Sequence, residues 1–281
     1  MQIAVSEEAI KPKPKRMTHP YTYIDPNARV ASNVKIDPFA VIHGDVTIGE
    51  GTWIGSNVTI MEGTRIGKNC RIFPGAVLGA IPQDLKFSGE KTTVEVGDNT
   101  TIREFVTINR GTDDRGKTRV GSNCLIMAYC HIAHDCIIGD NCILSNSVQV
   151  AGHVIVGDWT VIGGVSAVHQ FVHIGQHVFV AGGSLVSKDV PPYIKAVRNP
   201  LSYGGVNSVG LKRRGFGLTQ INHILDIYRI IYNKGLNTSQ AVDFIEEELT
   251  ASDERDEIVT FIRESGRGII RRFGKNGSEE E

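Results

Sequence analysis

A parallel β-helix of triangular coils, followed by a small α-helical domain, is the fold class this sequence predicts. Two observations carry it. An aliphatic residue recurs every six positions from Ile24 to Val186, and the period stops at Pro191-Pro192, after which apolar residues fall at helical spacing. Of the 28 positions in that register, 25 are Ile, Val or Leu, the exceptions being Asp84, Glu90 and Asp114. Neither an α-helix nor an alternating strand holds a period of six for so long.

The anatomy of the hexad supports the reading. Its fifth residue is small or β-branched (Ala28, Val34, Ala40, Val46, Thr52), and its second is often Gly, as in IGEGTW, IGSNVT, IGKNCR and IGDNCI. Three hexads close one coil, with the aliphatic residue inward and the turn residues at the corners. Coils spaced like paired strands, about 4.8 Å apart, stack some nine deep into a prism roughly 40–45 Å long. Families built on this hexapeptide repeat wind left-handed, against the usual right-handed crossover. A left-handed parallel β-helix is therefore expected over residues 21–191.

Two breaks keep register modulo six. Residues 79–95 (containing QDLKF) and 109–119 (NRGTDDRGKTR) lose the aliphatic residue while whole hexads are replaced. They read as loops leaving the prism, where functional residues often sit. Cys70, Cys124, Cys130, Cys136 and Cys142 all occupy the fifth position and read as buried small residues, with no disulfide or zinc site expected from them.

Residues 1–20 read as an extended arm carrying KPKPKR, with Met17 as an alternative start, and residues 192–281 as the α-helical domain. Within that domain Thr219 is placed as the cap of a first helix ending near Gly235. Two more run from about Ser239 to Leu249 and from Asp253 to Glu264, followed by RGIIRRF. Lys and Arg total 30 against 31 Asp and Glu, a net charge of −1, so no global field for nucleic acid exists and any anion site must be local. No apolar run reaches the ~20 residues that span a bilayer, and the first sixteen residues lack a secretory h-region. The cytoplasm is the expected location.

The register also places the histidines. The hexads IAHDCI, VAGHVI and VHQFVH start eighteen residues apart and stack on one wall, so His134, His153 and His169 project near one corner. A neutral imidazole can act as a base at physiological pH, and the neighbouring Asp135 can orient it. Gly152, eighteen residues after His134, offers a backbone amide close to the reacting atoms. Lys212, Arg213 and Arg214 form a local basic run suited to phosphate, and Arg263, Arg267, Arg271 and Arg272 a second one suited to an acidic partner. A ladder of histidines with a purely structural role remains the competing interpretation.

HIAHDC, AGHVIVGD, AVHQFVHIG, DVPPY and GLKRRGF, in that order and with QDLKF in the first loop, resemble the UDP-N-acetylglucosamine O-acyltransferases, the first enzymes of lipid A assembly. The resemblance runs from about Thr18 to Arg272. It implies transfer of a 3-hydroxyacyl chain from acyl carrier protein to the 3-hydroxyl of UDP-N-acetylglucosamine, by a homotrimer with sites between prisms, without cofactor or metal. It puts the general base on His134 with Asp135 beside it, and the oxyanion amide on Gly152. Sugar and acyl contacts fall on Asp84, Lys86, His131, His153, His169 and Gln170, and nucleotide contacts on Asn207, Arg213 and Arg214. The family's acyl-chain ruler falls on Gly182 or Gly183, and a glycine there leaves the groove open to long donors, of about fourteen carbons or more. Two departures stand out: Asn109 where relatives often have His, and Pro200 where they often have another. Three alternatives stay open: the N-acyltransferase of the same pathway, whose extra domain usually precedes the prism; a non-catalytic binding scaffold; and a zinc site like that of γ-class carbonic anhydrases, which uses a histidine pair five residues apart that this chain lacks.

Overall fold

Each hexad forms a two-residue strand ending on its aliphatic residue, and three strands per coil build three walls. The computed structural model describes residues 17–273. The KPKPKR run of the predicted arm lies outside them. Among these residues the first wall has eleven strands, the second nine and the third eight, and the prism is a left-handed parallel β-helix. Pairing is parallel throughout the prism and begins at Met17–Thr18 against Lys35–Ile36, slightly before the predicted start.

Register within a wall follows the coil length. Ile132 pairs with Val150, Val150 with Val168 and Val168 with Val186, eighteen residues apart each time. Ile72 pairs with Ile102, thirty residues away, and Ile102 with Ile126, twenty-four away. The first interruption therefore adds two hexads and the second adds one, so the aliphatic column is never displaced. Both excursions, 81–92 and 110–116, connect a strand of the second wall to one of the third (Val77–Ala80 to Thr93–Val96, Thr107–Asn109 to Lys117–Val120). Both leave the prism from the same edge.

The inward column is fully buried, from Ile36 and Ile42 to Val180 and Val186, and the five cysteines are free and buried beside it. Desolvation pushes the Cys130 thiol up to about 11 and the Cys136 thiol up to about 12, so neither presents a thiolate nucleophile at neutral pH. The fourth residue of many hexads turns the corner with positive φ: Asn57, Asn69, Asn99, Asn123 and Asn141 on two edges, and Asp135, His153 and Phe171 on the edge with the excursions. Asn tolerates this left-handed conformation; bulkier residues adopt it at a cost.

Beyond Pro192 the chain first extends the first wall with Ile194–Val197, which pairs antiparallel with Ser202–Val206. The C-terminal domain thus opens with a hairpin before its helices, a feature the helical reading of 192–281 did not include. The helices are α1 (Ser208–Arg213), α2 (Leu218–Asn233), α3 (Thr238–Glu248) and α4 (Asp253–Glu264). The LKRR run lies in and just after α1. Gly217, not Thr219, precedes α2, and its N–H donates to the Gln220 side chain. Asn237 and Ser252 cap α3 and α4 through their side-chain oxygens. Ile221, Ile224, Ile227, Tyr228 and Ile231 of α2 are buried, and the Tyr228 hydroxyl donates to the Pro192 carbonyl at 2.6 Å. Buried Asp189 accepts from the His173 amide (2.8 Å) and the Ser265 hydroxyl (2.6 Å), tying the last coil to the chain after α4. Among the described residues no helix is long and apolar enough to cross a membrane.

Candidate active site

The edge between the second and third walls collects the candidate catalytic residues, because consecutive coils present consecutive hexads there. His134 Nδ1 lies 2.8 Å from Asp135 Oδ2. A carboxylate only accepts, so Nδ1 carries the proton and Nε2 keeps its lone pair. His153 stacks on Asp135 one coil later, its Nε2 3.9 Å from the same oxygen, and its ring stands edge-on to His134 with centroids 5.0 Å apart. Phe171 covers His153 in turn, centroids 4.5 Å apart. Gly152 lies directly against the His134 ring: a Cβ there would stand 2.7 Å from Cε1 and 2.8 Å from Nε2. Only glycine fits without moving the imidazole.

Asp135 is fully buried. Burial alone would raise its pKa. The Thr112 hydroxyl, the His134 ring, the Thr112 amide and the nearby His153 together outweigh that effect and hold the carboxyl below its ordinary range. Thr112 N–H reaches both carboxylate oxygens (3.0 and 3.1 Å), Thr112 Oγ1 donates at 2.7 Å and Arg115 N–H at 3.3 Å. These donors come from the second excursion. Its fold was not legible, because it leaves the hexad register; Asp114, standing where an aliphatic residue belongs, was the only signal. Asp114 Oδ2 lies 3.0 Å from His153 Nδ1.

Two cavities flank the edge. One, about 410 Å³, runs over the second wall and is lined by Gln83, His131, His134, Gln149, Gly152 and Gln170 among others. The other, about 340 Å³, lies between the excursions and is lined by Asp84, Lys86, Phe87, Asp114, His153 and Phe171 among others. Asp84, which lines the second cavity, places its Oδ2 4.0 Å from Nε2 of His134, which lines the first. His131 faces the first, its Nδ1 2.7 Å from Thr107 Oγ1; burial, then the charge of His134, depresses its pKa. His169 shares the edge but stays outside the His134–His153 contact. It takes the second hexad position, level with Ala151, and its exposed ring bonds to the Gln170 carbonyl. Phe171 occupies the place above His153.

Asn207, Arg213 and Arg214 gather elsewhere. Asn207 Nδ2 donates to the His177 carbonyl (2.9 Å), and its Oδ1 accepts from Gly210 at the start of α1. Arg214 places its guanidinium over Trp159 and its Nη1 3.3 Å from His177 Nδ1, while Arg213 is exposed. His177 turns the edge between the third and first walls, so within one chain the whole third wall separates this group from His134. Gly182 and Gly183 turn the remaining edge, with the second wall between them and His134. A Cβ on Gly182 would stand 3.2 Å from the Gly164 carbonyl oxygen, and one on Gly183 would meet open space. Asn109 bridges the stem of the first excursion, its Nδ2 reaching the carbonyls of Ala80 and Ile81 at 3.3 and 2.8 Å. Pro200 sits exposed in the turn of the C-terminal hairpin.

Among the described residues, His134, Asp135 and His153 are the group whose ligand atoms lie close enough to hold a metal ion, all within 4.8 Å. Those atoms are already engaged with one another and with Thr112, an arrangement that suits proton transfer.

Comparison with known proteins covers most of the chain. The family model described as UDP-N-acetylglucosamine O-acyltransferase, domain 2, matches residues 189–270, and the bacterial transferase hexapeptide model matches 45–80 and 117–152. A relative from Halorhodospira halophila, an acyl-(acyl-carrier-protein)–UDP-N-acetylglucosamine O-acyltransferase, is 45% identical over 254 residues, 90% of this chain and 98% of that protein. The enzyme of the same name from Chlorobaculum parvum is 56% identical over 194 residues, 69% of this chain and 74% of its own. The solved structure of LpxA, a UDP-N-acetylglucosamine acyltransferase from Bacteroides fragilis, superposes with a TM-score of 0.88 at 51% identity, covering 90% of this chain and 99% of its own.

The cluster around His177 yields a pH prediction. Burial, then the charge of Arg214, pushes its pKa down to about 4 from an ordinary 6.5. Between those values the unfolded chain binds a proton that the folded chain does not. The stabilising contribution is complete above pH 6.5 and is lost as pH falls toward 4; the full shift corresponds to about 3 kcal/mol, reduced by solvent screening at this edge to the order of 1–2 kcal/mol. Urea midpoints should therefore drop on acidification across that window. His177→Phe, with Phe already at the equivalent corner residue 171, should remove part of the slope; an identical slope in the variant would rule out His177 as its source.

Proposed function

The chain belongs to the acyl-(acyl-carrier-protein)–UDP-N-acetylglucosamine O-acyltransferase family, and from that membership we propose how its own residues carry the reaction. It is an acyltransferase that moves an acyl chain from acyl carrier protein to UDP-N-acetylglucosamine, the first step of lipid A synthesis. The acceptor atom is the sugar 3-hydroxyl and the chain a 3-hydroxyacyl group. The observation that carries the mechanism is the imidazole with Nδ1 held by a buried carboxylate, its ring lining the cavity over the second wall with Nε2 4.0 Å from Asp84, and the Gly152 backbone against the ring.

His134 Nε2 removes the proton from the 3-hydroxyl as that oxygen attacks the thioester carbonyl. The Gly152 amide meets the developing oxyanion. When the tetrahedral intermediate collapses, the carbon–sulfur bond breaks and His134 returns the proton to the departing thiol, giving the O-acyl UDP-sugar and free carrier thiol. Asp84, Lys86 and His153 in the cavity between the excursions suit the sugar, and His131 and Gln170 in the groove over the second wall suit the acyl end, with His169 at its rim. No residue here forms a covalent intermediate, in keeping with cysteines that all lie buried in the prism, away from both cavities. The reading places the enzyme in the cytoplasm.

The separation of Arg213 and Arg214 from His134 supports a homotrimer. One UDP-sugar cannot reach across the third wall of a single prism, whereas the arginine edge of a neighbouring copy can face the His134 edge. Asn207, with both side-chain atoms committed to His177 and α1, then positions the edge whose arginines meet the diphosphate.

His134→Ala should lower kcat by on the order of 10²-fold or more while leaving the melting temperature near wild type, since the ring lies at a corner outside the aliphatic column. Near-normal turnover would sink the base assignment. Chains carrying His134→Ala and Arg214→Ala, co-expressed, should regain activity that each lacks alone, in a particle near 92 kDa, three times 30.7 kDa; a monomer, or no complementation, contradicts shared sites.

Gly182 as the end of the acyl groove requires the chain to run from His134 across the second wall to the far edge. There the bare glycine leaves room for donors of about fourteen carbons or more. Gly182→Met should shift preference to shorter donors, with discrimination of several-fold per carbon from roughly 0.8 kcal/mol per buried CH₂. Identical chain-length rankings for both proteins in a donor series would remove the ruler from this position.

A further inference from the structure

We infer that the second excursion, residues 110–116, is a clamp on the Asp135 carboxylate and that Thr112 is a positioning residue for acyl transfer. The inference rests on the reading of His134 as the base.

The observations are these. Asp135 is fully buried at the corner, in a left-handed backbone conformation that fixes where its carboxylate can lie. Its own amide accepts no freedom either, donating to Thr118 Oγ1 at 2.8 Å. Thr112 supplies two donors to the carboxylate, its amide and its hydroxyl; Arg115 adds its amide and reaches the Asp135 carbonyl with its guanidinium at 3.1 Å. The hydroxyl and His134 Nδ1 share the same oxygen, at 2.7 and 2.8 Å. One side of Oδ2 is therefore held by Thr112, and the remaining side is aimed at the imidazole.

A buried carboxylate without such donors would take up a proton. Protonated, it could no longer demand the Nδ1–H tautomer, and His134 would lose the lone pair on Nε2 that faces the acceptor. The clamp thus acts on the nitrogen doing the chemistry without touching substrate. The excursion leaves the coil before Asp135, between Thr107–Asn109 and Lys117–Val120, and so lies directly over the Asp135 corner, which itself closes with an ordinary hexad.

Thr112→Val keeps the amide and the shape but removes the hydroxyl. The Thr112 hydroxyl is one of the interactions that hold the Asp135 carboxyl below its ordinary range, so without it the buried carboxylate takes up a proton at higher pH. The expected result is a kcat lower by about tenfold with KM within about twofold, and an acid limb of the pH–kcat profile moved up by roughly half a unit or more. Thr112→Ser should restore both. If Thr112→Val does not fold, Thr112→Ala carries the same test. An unchanged kcat and pH limb overturns the clamp, and so does a Ser variant as impaired as Val, which would make the methyl packing responsible. His134→Ala, assayed alongside, separates the two readings. If it stays active the base assignment fails; if it is dead while Thr112→Val is normal, only the clamp fails.

Discussion

Everything in this protein depends on the vertical stacking of coils. Each two-residue strand bonds to the strand one coil away, so a residue's place in its hexad fixes its wall, its height and the direction of its side chain. Ile132, Val150, Val168 and Val186 form one line for this reason, and so do Asp135, His153 and Phe171. A slip of one residue would turn the aliphatic column outward along its whole length. The hydrophobic column and the catalytic edge are consequently specified by the same register, and neither can drift without the other.

That coupling explains what could be read from sequence and what could not. The prism and the proximity of His134, Asp135, His153 and Gly152 were legible because they follow from counting in sixes. The excursions were recognisable as excursions for the same reason, since they insert whole hexads. Their interiors were not legible. Thr112 and Arg115 reach Asp135 through a loop path that no periodicity describes. The edge occupied by Arg214 was equally hidden, because it is set by packing of Arg214 on Trp159 and His177 after the repeat has ended. His169 shows the limit of counting by wall alone: it belongs to the right hexad, but the second position points beside the cluster that the third and fourth positions form.

The departure at residue 109 has a physical consequence of its own. Asn109 is buried at the end of a second-wall strand and spends its amide donors on the carbonyls of Ala80 and Ile81, where the first excursion begins. The excursion carries Asp84 and Lys86 into the cavity beside His134. A buried residue outside both cavities thus fixes the root of the loop that carries Asp84. Arg110, next in sequence, lays its guanidinium 5.4 Å from the Phe87 ring, which anchors the far side of the same loop.

The corner position carries positive φ on all three edges of the prism. Between the third and first walls Asn69, Asn99, Asn123 and Asn141 supply it at little cost, while between the first and second walls it is held by Phe39, Phe105, Tyr129 and Val165 among others. On the edge between the second and third walls the same position holds Asp135, His153 and Phe171. The prism can bear this because each strained corner is fixed between parallel ladders above and below and because the aliphatic column beneath it is continuous. In return the side chains issue from the edge at a spacing of one coil, close enough for a carboxylate to hold one imidazole at 2.8 Å while a second stands over it. A flexible loop could bring such groups together only by ordering them on each turnover; the rigid edge holds them in place before substrate arrives.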